Sequence, residues 1–264
     1  MIVAGCDVGS LTAKAVILSD DKLLAGQIMP VSATVEDSAQ KVMGAALEAA
    51  GMGFSDLARV LCTGYGRFSV SFARENVSEI SCHGMGAHFV NPDVRTVIDI
   101  GGQDCKVVCI DSEGYVTDFL MNDKCAAGTG RSLEILSAAI GLSLEELGPV
   151  SLSAKNPLAV NNRCSIFMEQ EVLKHLYRKK RKPDIAAGIN DAVARRVAAL
   201  ARSVTVKEKV ALTGGVSKNP GVAARLSQLL GVSFATLPVD AQLMGALGAA
   251  VFARTGKLPS AGGN

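Results

Sequence analysis

Short apolar runs and helical stripes alternate along most of the chain. "IVAGCDV" (2–8), "AKAVIL" (13–18) and "LLAGQIM" (23–29) have the length of buried strands, separated by a glycine turn at Gly9-Ser10 and the polar turn "SDDK". In "DSAQKVMGAALEAA" (37–50) the apolar Ala39, Val42, Met43, Ala46, Leu47 and Ala50 recur at helical spacing and predict a helix. "ARVLCTGYGR" (58–67) predicts a strand ending in a glycine turn. Glu79 to Phe89 predicts a helix in spite of Gly84 and Gly86, glycines that suit close helix approach. Helical patterns follow from about Ala126 to Ile140, Ser165 to Lys180 and Asp184 to Val206. Val210 to Thr213 predicts a buried strand, followed by Gly214-Gly215 and a helix starting near Asn219 with Pro220 in its first turn. The last predicted helix, Asp240 to Ala253, carries a face of Gly245, Ala246, Gly248 and Ala249, suited to packing on another helix at a hinge.

The strand pattern repeats. "CDVGSLTAKAVIL" (6–18) set over "IDIGGQDCKVVCI" (98–110) aligns Asp7 with Asp99, Gly9 with Gly101 and Lys14 with Lys106, all 92 residues apart. At the same offset "SDDK" falls on "DSEG" and Met29 on Met121, with apolar third strands "LLAGQIM" and "YVTDFLM". Each copy reads as strand, glycine turn, strand, acidic turn, strand, which predicts two similar domains. Glycines at a hairpin apex let backbone N–H groups approach an anion, and Ser10 and Thr12 add hydroxyls, so the turns suit phosphate. An aspartate just before each turn would repel phosphate unless a cation intervened, so Asp7 and Asp99 imply Mg²⁺, met directly or through its waters. The plainer alternative is a pair of hairpins whose turns only connect strands.

Composition narrows the class. A chain of 264 residues can bury one large core or two modest ones without staples. Mean hydropathy is +0.29, yet no run approaches the roughly 20 apolar residues that span a bilayer. The N-terminus lacks a basic region and reaches Asp7 at once, so it reads as a first strand; a cytoplasmic location without membrane partners is expected. Net charge is +2, and "RKKRK" (178–182) is either a solvated helix end or a docking patch. Trp is absent and Tyr numbers three, which leaves little for stacking bases and argues against nucleic acid.

Seven cysteines without a CxxC pair argue against a disulfide framework. Cys6, Cys62, Cys105 and Cys109 lie in strand-like runs, where a thiol behaves as a small hydrophobe. Cys82 reads as buried filler rather than a ligand, and His83 beside it points elsewhere on a helix, which disfavours a metal site there. Cys125 and Cys164 differ: "NDKC" and "NNRC" set each among polar residues before a helical pattern.

In order along the chain, "CDVGSLTAK", "EISCHGMGA", "IDIGGQD", "LTGGVSKNPG" and "QLMGALGAA" resemble the phosphate, connecting and adenosine signatures of the superfamily of acetate kinase, sugar kinases, Hsp70 and actin. More narrowly, "GYGR", "EISCHG", "IDIGGQD", "KCAAGTGR" and "RCSIFMEQE" resemble the ATP-dependent activators of (R)-2-hydroxyacyl-CoA dehydratases and the related ATPase subunits of benzoyl-CoA reductases. The sequence departs from that pattern at Met168-Glu169-Gln170, where Ala-Glu-Ser is more usual, and at Gly84-Met85, where a basic residue is common. The departures bear on partner identity more than on the cysteines.

The resemblance implies an α/β fold of two duplicated ribonuclease-H-like domains, each with a mixed five-stranded sheet flanked by helices. It places residues 1–92 plus 241–264 in the N-terminal lobe and 93–240 in the C-terminal one. It implies ATP or ADP with Mg²⁺, a homodimer sharing one [4Fe-4S] cluster on Cys125 and Cys164 of each chain, ferredoxin or flavodoxin as electron donor, and a dehydratase or reductase as acceptor. Asp7 and Asp99 then serve Mg²⁺; Gly9, Ser10, Leu11, Thr12, Gly101 and Gly102 serve phosphate; Gln103 orients water, with Glu79 as the rival base. Lys14 reaches phosphate or pairs with a carboxylate. Gly214 and Gly215 lie along the adenosine, Lys218 and Asn219 near base or ribose, and Gly128 and Gly130 border the nucleotide. Two other readings stay open: a small-molecule kinase of the same fold with Asp104 as base, and a nucleotide-dependent scaffold.

Overall fold

In the computed structural model, which describes residues 1–122 and 125–259, the apolar runs form strands and the periodic segments form helices. Strands β1 (Ile2–Val8), β2 (Thr12–Ser19), β3 (Lys22–Pro30), β4 (Arg59–Thr63) and β5 (Glu75–Asn76) make one sheet in the order β3-β2-β1-β4-β5. The first three form an antiparallel meander, while β4 joins β1 and β5 joins β4 in parallel. Connection length explains the mixture: tight turns reverse the chain, whereas helix α1 (Val35–Ala50) carries it back for a parallel pairing.

Strands β6 (Thr96–Ile100), β7 (Cys105–Ile110), β8 (Val116–Asn122) and β9 (Val210–Thr213) form a second sheet, ordered β8-β7-β6-β9. They repeat the positions of β1 to β4 in the first. Five strands are expected in each sheet, but the second has four among the described residues, with a single parallel bridge from Val210 to Phe234 where a fifth would run. The segment at that edge reaches Pro238, which has no N–H to extend a ladder. The matching edge strand of the first sheet is itself two residues long.

Two compact units emerge, residues 1–97 with 108–119 and the chain from 235 onward, and residues 98–107 with 120–234. In the first, alternation sends Ala4, Cys6, Ala15 and Ile17 to one sheet face, against Val42, Met43 and Leu47 of α1. Val3, Val16 and Leu18 take the other face, under α2 (Glu79–Val90) and α8 (Met244–Thr255). The small residues of α8 do what their spacing predicts. A side chain at Gly248 would meet the Cys82 carbonyl of α2, and one at Gly86 the Met244 carbonyl of α8, so the two helix backbones touch.

The second unit packs Ile98, Ile100 and Val107 against α3 (Gly130–Ala139), α4 (Leu144–Leu152), α5 (Ser165–Tyr177), α6 (Lys182–Ala201) and α7 (Pro220–Leu230). Periodicity does not reveal α4, whose signal is instead a capping box in "SLEE": Ser143 Oγ accepts from the Glu146 N–H at 3.2 Å, and Glu146 Oε2 from the Ser143 N–H at 2.8 Å. The helix expected from Ala126 starts only at Gly130, because Gly128 takes φ +93° and Thr129 closes a turn on the Ala126 carbonyl. Helix α6 stops at Ala201 rather than near Val206, where "SVTV" (203–206) brings hydroxyl and β-branched residues of poor helix propensity. Among the described residues no single helix is long and apolar enough to cross a membrane.

Two glycine substitutions should separate contact from propensity in urea unfolding. Gly248→Ala, which drives a methyl into the α2 backbone, is expected to destabilise by about 1–3 kcal/mol. Gly44→Ala in α1, with nothing within 4 Å of the new methyl, should instead stabilise by about 0.5–1 kcal/mol. Equal effects of one sign would refute the packing account.

Candidate functional site

In the first unit Asp7 sits on the central strand β1, paired in register with Lys14 of β2 on one side and Thr63 of β4 on the other. Asp7 is 3% exposed, and Lys14 Nζ lies 3.2 Å from its Oδ2. Of the two roles open to Lys14, the structure displays the carboxylate pairing. Gly64 follows with φ +85°, and any side chain there would strike Asp7 Oδ1. Past β1 the Gly9 N–H donates to the Thr12 carbonyl at 3.1 Å, closing an apex along which Ser10 and Leu11 are half-buried. Glu79 is the half-buried first residue of α2. His83, one turn on, is buried beside Asp7: a side-chain carbon at Gly245 would fall 2.8 Å from Asp7 Oδ2 and 3.0 Å from His83 Nε2.

The second unit repeats the arrangement. Asp99 is 2% exposed; Lys106 Nζ lies 3.3 Å from its Oδ2 and 2.7 Å from Asp104 Oδ1, and Thr213 Oγ1 donates to Asp99 Oδ1 at 2.9 Å. Gly214, φ +80°, abuts Asp99 Oδ1 and the Ile100 carbonyl. The Gly101 N–H donates to the Asp104 carbonyl at 3.0 Å, the counterpart of the Gly9 bond; Gly102 is half-buried and Gln103 exposed at the apex. Each unit thus carries a row of lysine, aspartate and threonine across three adjacent strands, ending in a left-handed glycine. The Asp-Lys half is legible in the sequence repeat. The Thr-Gly half is not, because Thr63 follows Asp7 by 56 residues whereas Thr213 follows Asp99 by 114. The signal that would have joined them is the shared Thr-Gly step after a buried strand, "LCTG" and "ALTG".

The other nucleotide candidates divide. The Gly130 and Arg131 N–H groups donate to the carbonyls of Gly101 and Gly102 at 2.9 and 2.8 Å, tying the start of α3 to the β6–β7 turn. Gly128 sits instead against the Arg196 side chain of α6. Gly215 and Lys218 are exposed in the 3-10 turn 215–218. Asn219 is buried and spent on local structure: its Oδ1 accepts from the N–H groups of Gly221 and Val222 at 3.0 and 3.1 Å, capping α7, and its Nδ2 donates to Asn190 Oδ1 at 3.2 Å.

Of the seven cysteines, Cys6, Cys62, Cys82, Cys105 and Cys109 are buried and only Cys125 and Cys164 half-buried. Burial pushes the Cys105 thiol up to about 11 and Cys82 higher still. Cys164 is the N-cap residue of α5, as expected of a helix start; Cys125 is not at a helix start, since α3 begins five residues later. Asp123 and Lys124 of the Cys125 motif lie outside the described residues. Both half-buried thiols lie between β8 and β9, a span holding four helices where the first unit has only α1 between β3 and β4. Among the described residues no three or more His, Cys, Asp or Glu side chains are gathered to hold a metal ion.

A model of the BadF/BadG/BcrA/BcrD ATPase family matches residues 4–253. The (R)-2-hydroxyglutaryl-CoA dehydratase activating ATPase of Acidaminococcus fermentans is 42% identical over 94% of this chain and 95% of its own. The crystal structure of component A of that organism's dehydratase superposes with a TM-score of 0.92, covering 96% of this chain and 97% of that one. The activator of 2-hydroxyisocaproyl-CoA dehydratase from Clostridium difficile, solved with bound ADPNP, is 38% identical with a TM-score of 0.91, covering 96% and 94%. One of the benzoyl-CoA reductase subunits of Thauera aromatica is 32% identical over 81% of this chain and 77% of its own. A ROK family glucokinase from Streptomyces griseus, at 16% identity and a TM-score of 0.54 over 96% of this chain and 99% of its own, shares the fold alone. With a matching Lys-Asp-Thr row in each unit and relatives this similar over nearly its whole length, the chain belongs to the BadF/BadG/BcrA/BcrD ATPase family.

Proposed function

We propose that the protein is an iron–sulfur ATPase that couples hydrolysis of Mg²⁺-bound ATP to electron delivery, activating a 2-hydroxyacyl-CoA dehydratase or a related reductase. The observation that carries this reading is the coexistence, in one chain, of two Lys-Asp-Thr rows beside glycine turns with two half-buried thiols among seven. Relatives named as dehydratase activators, one with bound ADPNP, support it.

The donor chemistry fits the groups invoked. Buried carboxylates next to glycine turns suit a hydrated Mg²⁺, and two soft thiolates per chain suit a [4Fe-4S] cluster completed by a second copy of the chain. When bound, these groups supply charge neutralisation at phosphate and low-potential one-electron chemistry respectively. Asp7 and Asp99 would hold a hydrated cation, which would supply charge neutralisation there, while Lys14 and Lys106 set a positive charge against each carboxylate. Ser10, Leu11 and Thr12 would offer the first unit's turn to phosphate, and Gly101 and Gly102 the second unit's. Gly214 and Gly215 follow the adenosine, with Lys218 at its edge. Gln103, exposed at its apex, orients the attacking water; Glu79 is the second candidate.

The Gly101–Gly130 and Gly102–Arg131 hydrogen bonds give a route inside the second unit from the turn to the Cys125 segment. A shift of the turn on hydrolysis pulls on the same backbone that presents the thiol. Ferredoxin or flavodoxin is the electron donor in this reading. A benzoyl-CoA-type reductase is the alternative acceptor, supported by the similarity to the Thauera aromatica protein. A small-molecule kinase is less well supported, because its candidate base Asp104 is held by Lys106 at 2.7 Å.

Anaerobically reconstituted Cys125→Ser and Cys164→Ser proteins should each lose the visible absorption and the iron, about four atoms per two chains in the parent. Cys62→Ser and Cys109→Ser should keep both; equal losses in all four variants would sink the thiol assignment. For the ATP site, Asp7→Ala should lower Mg²⁺-dependent hydrolysis by about 100-fold or more while iron content stays at the parent level. Turnover retained in Asp7→Ala contradicts that role.

A further inference from the structure

The two units differ in how the threonine of the row meets its aspartate. In the second, the Asp99 carboxylate is gripped at both oxygens, by Lys106 at Oδ2 and by the Thr213 hydroxyl at Oδ1. In the first, Lys14 holds Asp7 Oδ2, and Thr63 is the register partner of Asp7 as Thr213 is the neighbour of Asp99. Yet Thr63, with no exposed surface, makes no well-formed hydrogen bond through Oγ1; it faces the thiol of Cys82, a weak partner. Asp7 Oδ1 lies against Gly64, the residue next to Thr63. The terminal torsion of an aspartate is soft, and a carboxylate held at one oxygen swings where one held at both does not.

We propose that Thr213 and Thr63 are positioning residues, each orienting the adjacent carboxylate toward a nucleotide-bound divalent cation, with Thr213 engaged and Thr63 disengaged in this structure. The inference rests on the assignment of Asp7 and Asp99 to the cation and adds the residues that set their angle. Neither threonine touches nucleotide in this account. Each acts through its aspartate, and engagement of Thr63 accompanies binding of the cation at Asp7.

The test measures Mn²⁺–ADP binding to the purified full-length protein, reading free Mn²⁺ by electron paramagnetic resonance, with metal-free ADP binding alongside. Thr213→Val, nearly isosteric but without the hydroxyl, should weaken Mn²⁺–ADP by about tenfold and metal-free ADP by less than about twofold, and Thr213→Ser should restore the parent value. Thr63→Val should weaken Mn²⁺–ADP in the same way although its hydroxyl has no well-formed bond here, and Thr63→Ser should restore it. Parent-like affinity in either valine variant overturns the proposal for that residue, as does equal weakening in its serine variant, the mark of a packing role. Asp99→Asn separates the two levels. Unchanged Mn²⁺–ADP affinity there overturns the cation assignment itself, whereas loss there with parent-like Thr213→Val overturns the threonine inference alone.

Discussion

A carboxylate buried in a sheet persists as an anion only where a cation and hydrogen-bond donors face it, and Asp7 and Asp99 are both almost fully buried. Much of each unit follows from meeting that demand. The lysine must stand on the neighbouring strand at the register of the aspartate, which fixes the hairpin between them and with it the glycine apex. The strand on the other side must bring a small polar residue and then turn away without a side chain, which Thr63-Gly64 and Thr213-Gly214 do.

The units share this frame and diverge in what is added to it. The first inserts one helix between its third and fourth strands, the second inserts four, and the two half-buried cysteines belong to that longer insertion. The insertion is not loosely appended. Leu133, Leu147, Met168 and Ile189 from its four helices enter one core with Ile98 and Ile100, and two backbone hydrogen bonds join the start of α3 to the β6–β7 turn. The segment after Cys125 is thereby anchored to that turn, so displacement of the one and displacement of the other share the same bonds.

Several features were legible in the chain because they are local. The 92-residue repeat matched the two aspartates and the two lysines by position, strand β9 and the Pro220 helix start have the bounds the pattern predicts, and the polar settings of Cys125 and Cys164 separated them from five thiols that proved buried. Other features were misread for equally local reasons. Helix α4 hides because its capping box, not its apolar spacing, announces it; α3 starts late because a left-handed glycine interrupts an otherwise helical pattern. Asn219 sits in a motif that suggested ligand contact, but a buried helix start needs its side chain more.

The sequence by itself determined the strand-turn-strand hairpins, the matching positions of each aspartate and lysine along them, and which cysteines stand in polar settings, since residues a few positions apart on one hairpin have their register set by the turn; that Lys14 turns to the carboxylate was left to the structure. Only the tertiary structure decided that Thr63 and Thr213 complete the two rows, that α8 and α2 touch backbone to backbone, and that α3 hangs from the β6–β7 turn. Those partners are brought together by which strands and helices lie side by side. Sheet order and helix packing depend on burying all the apolar faces at once, and no single stretch of sequence encodes that.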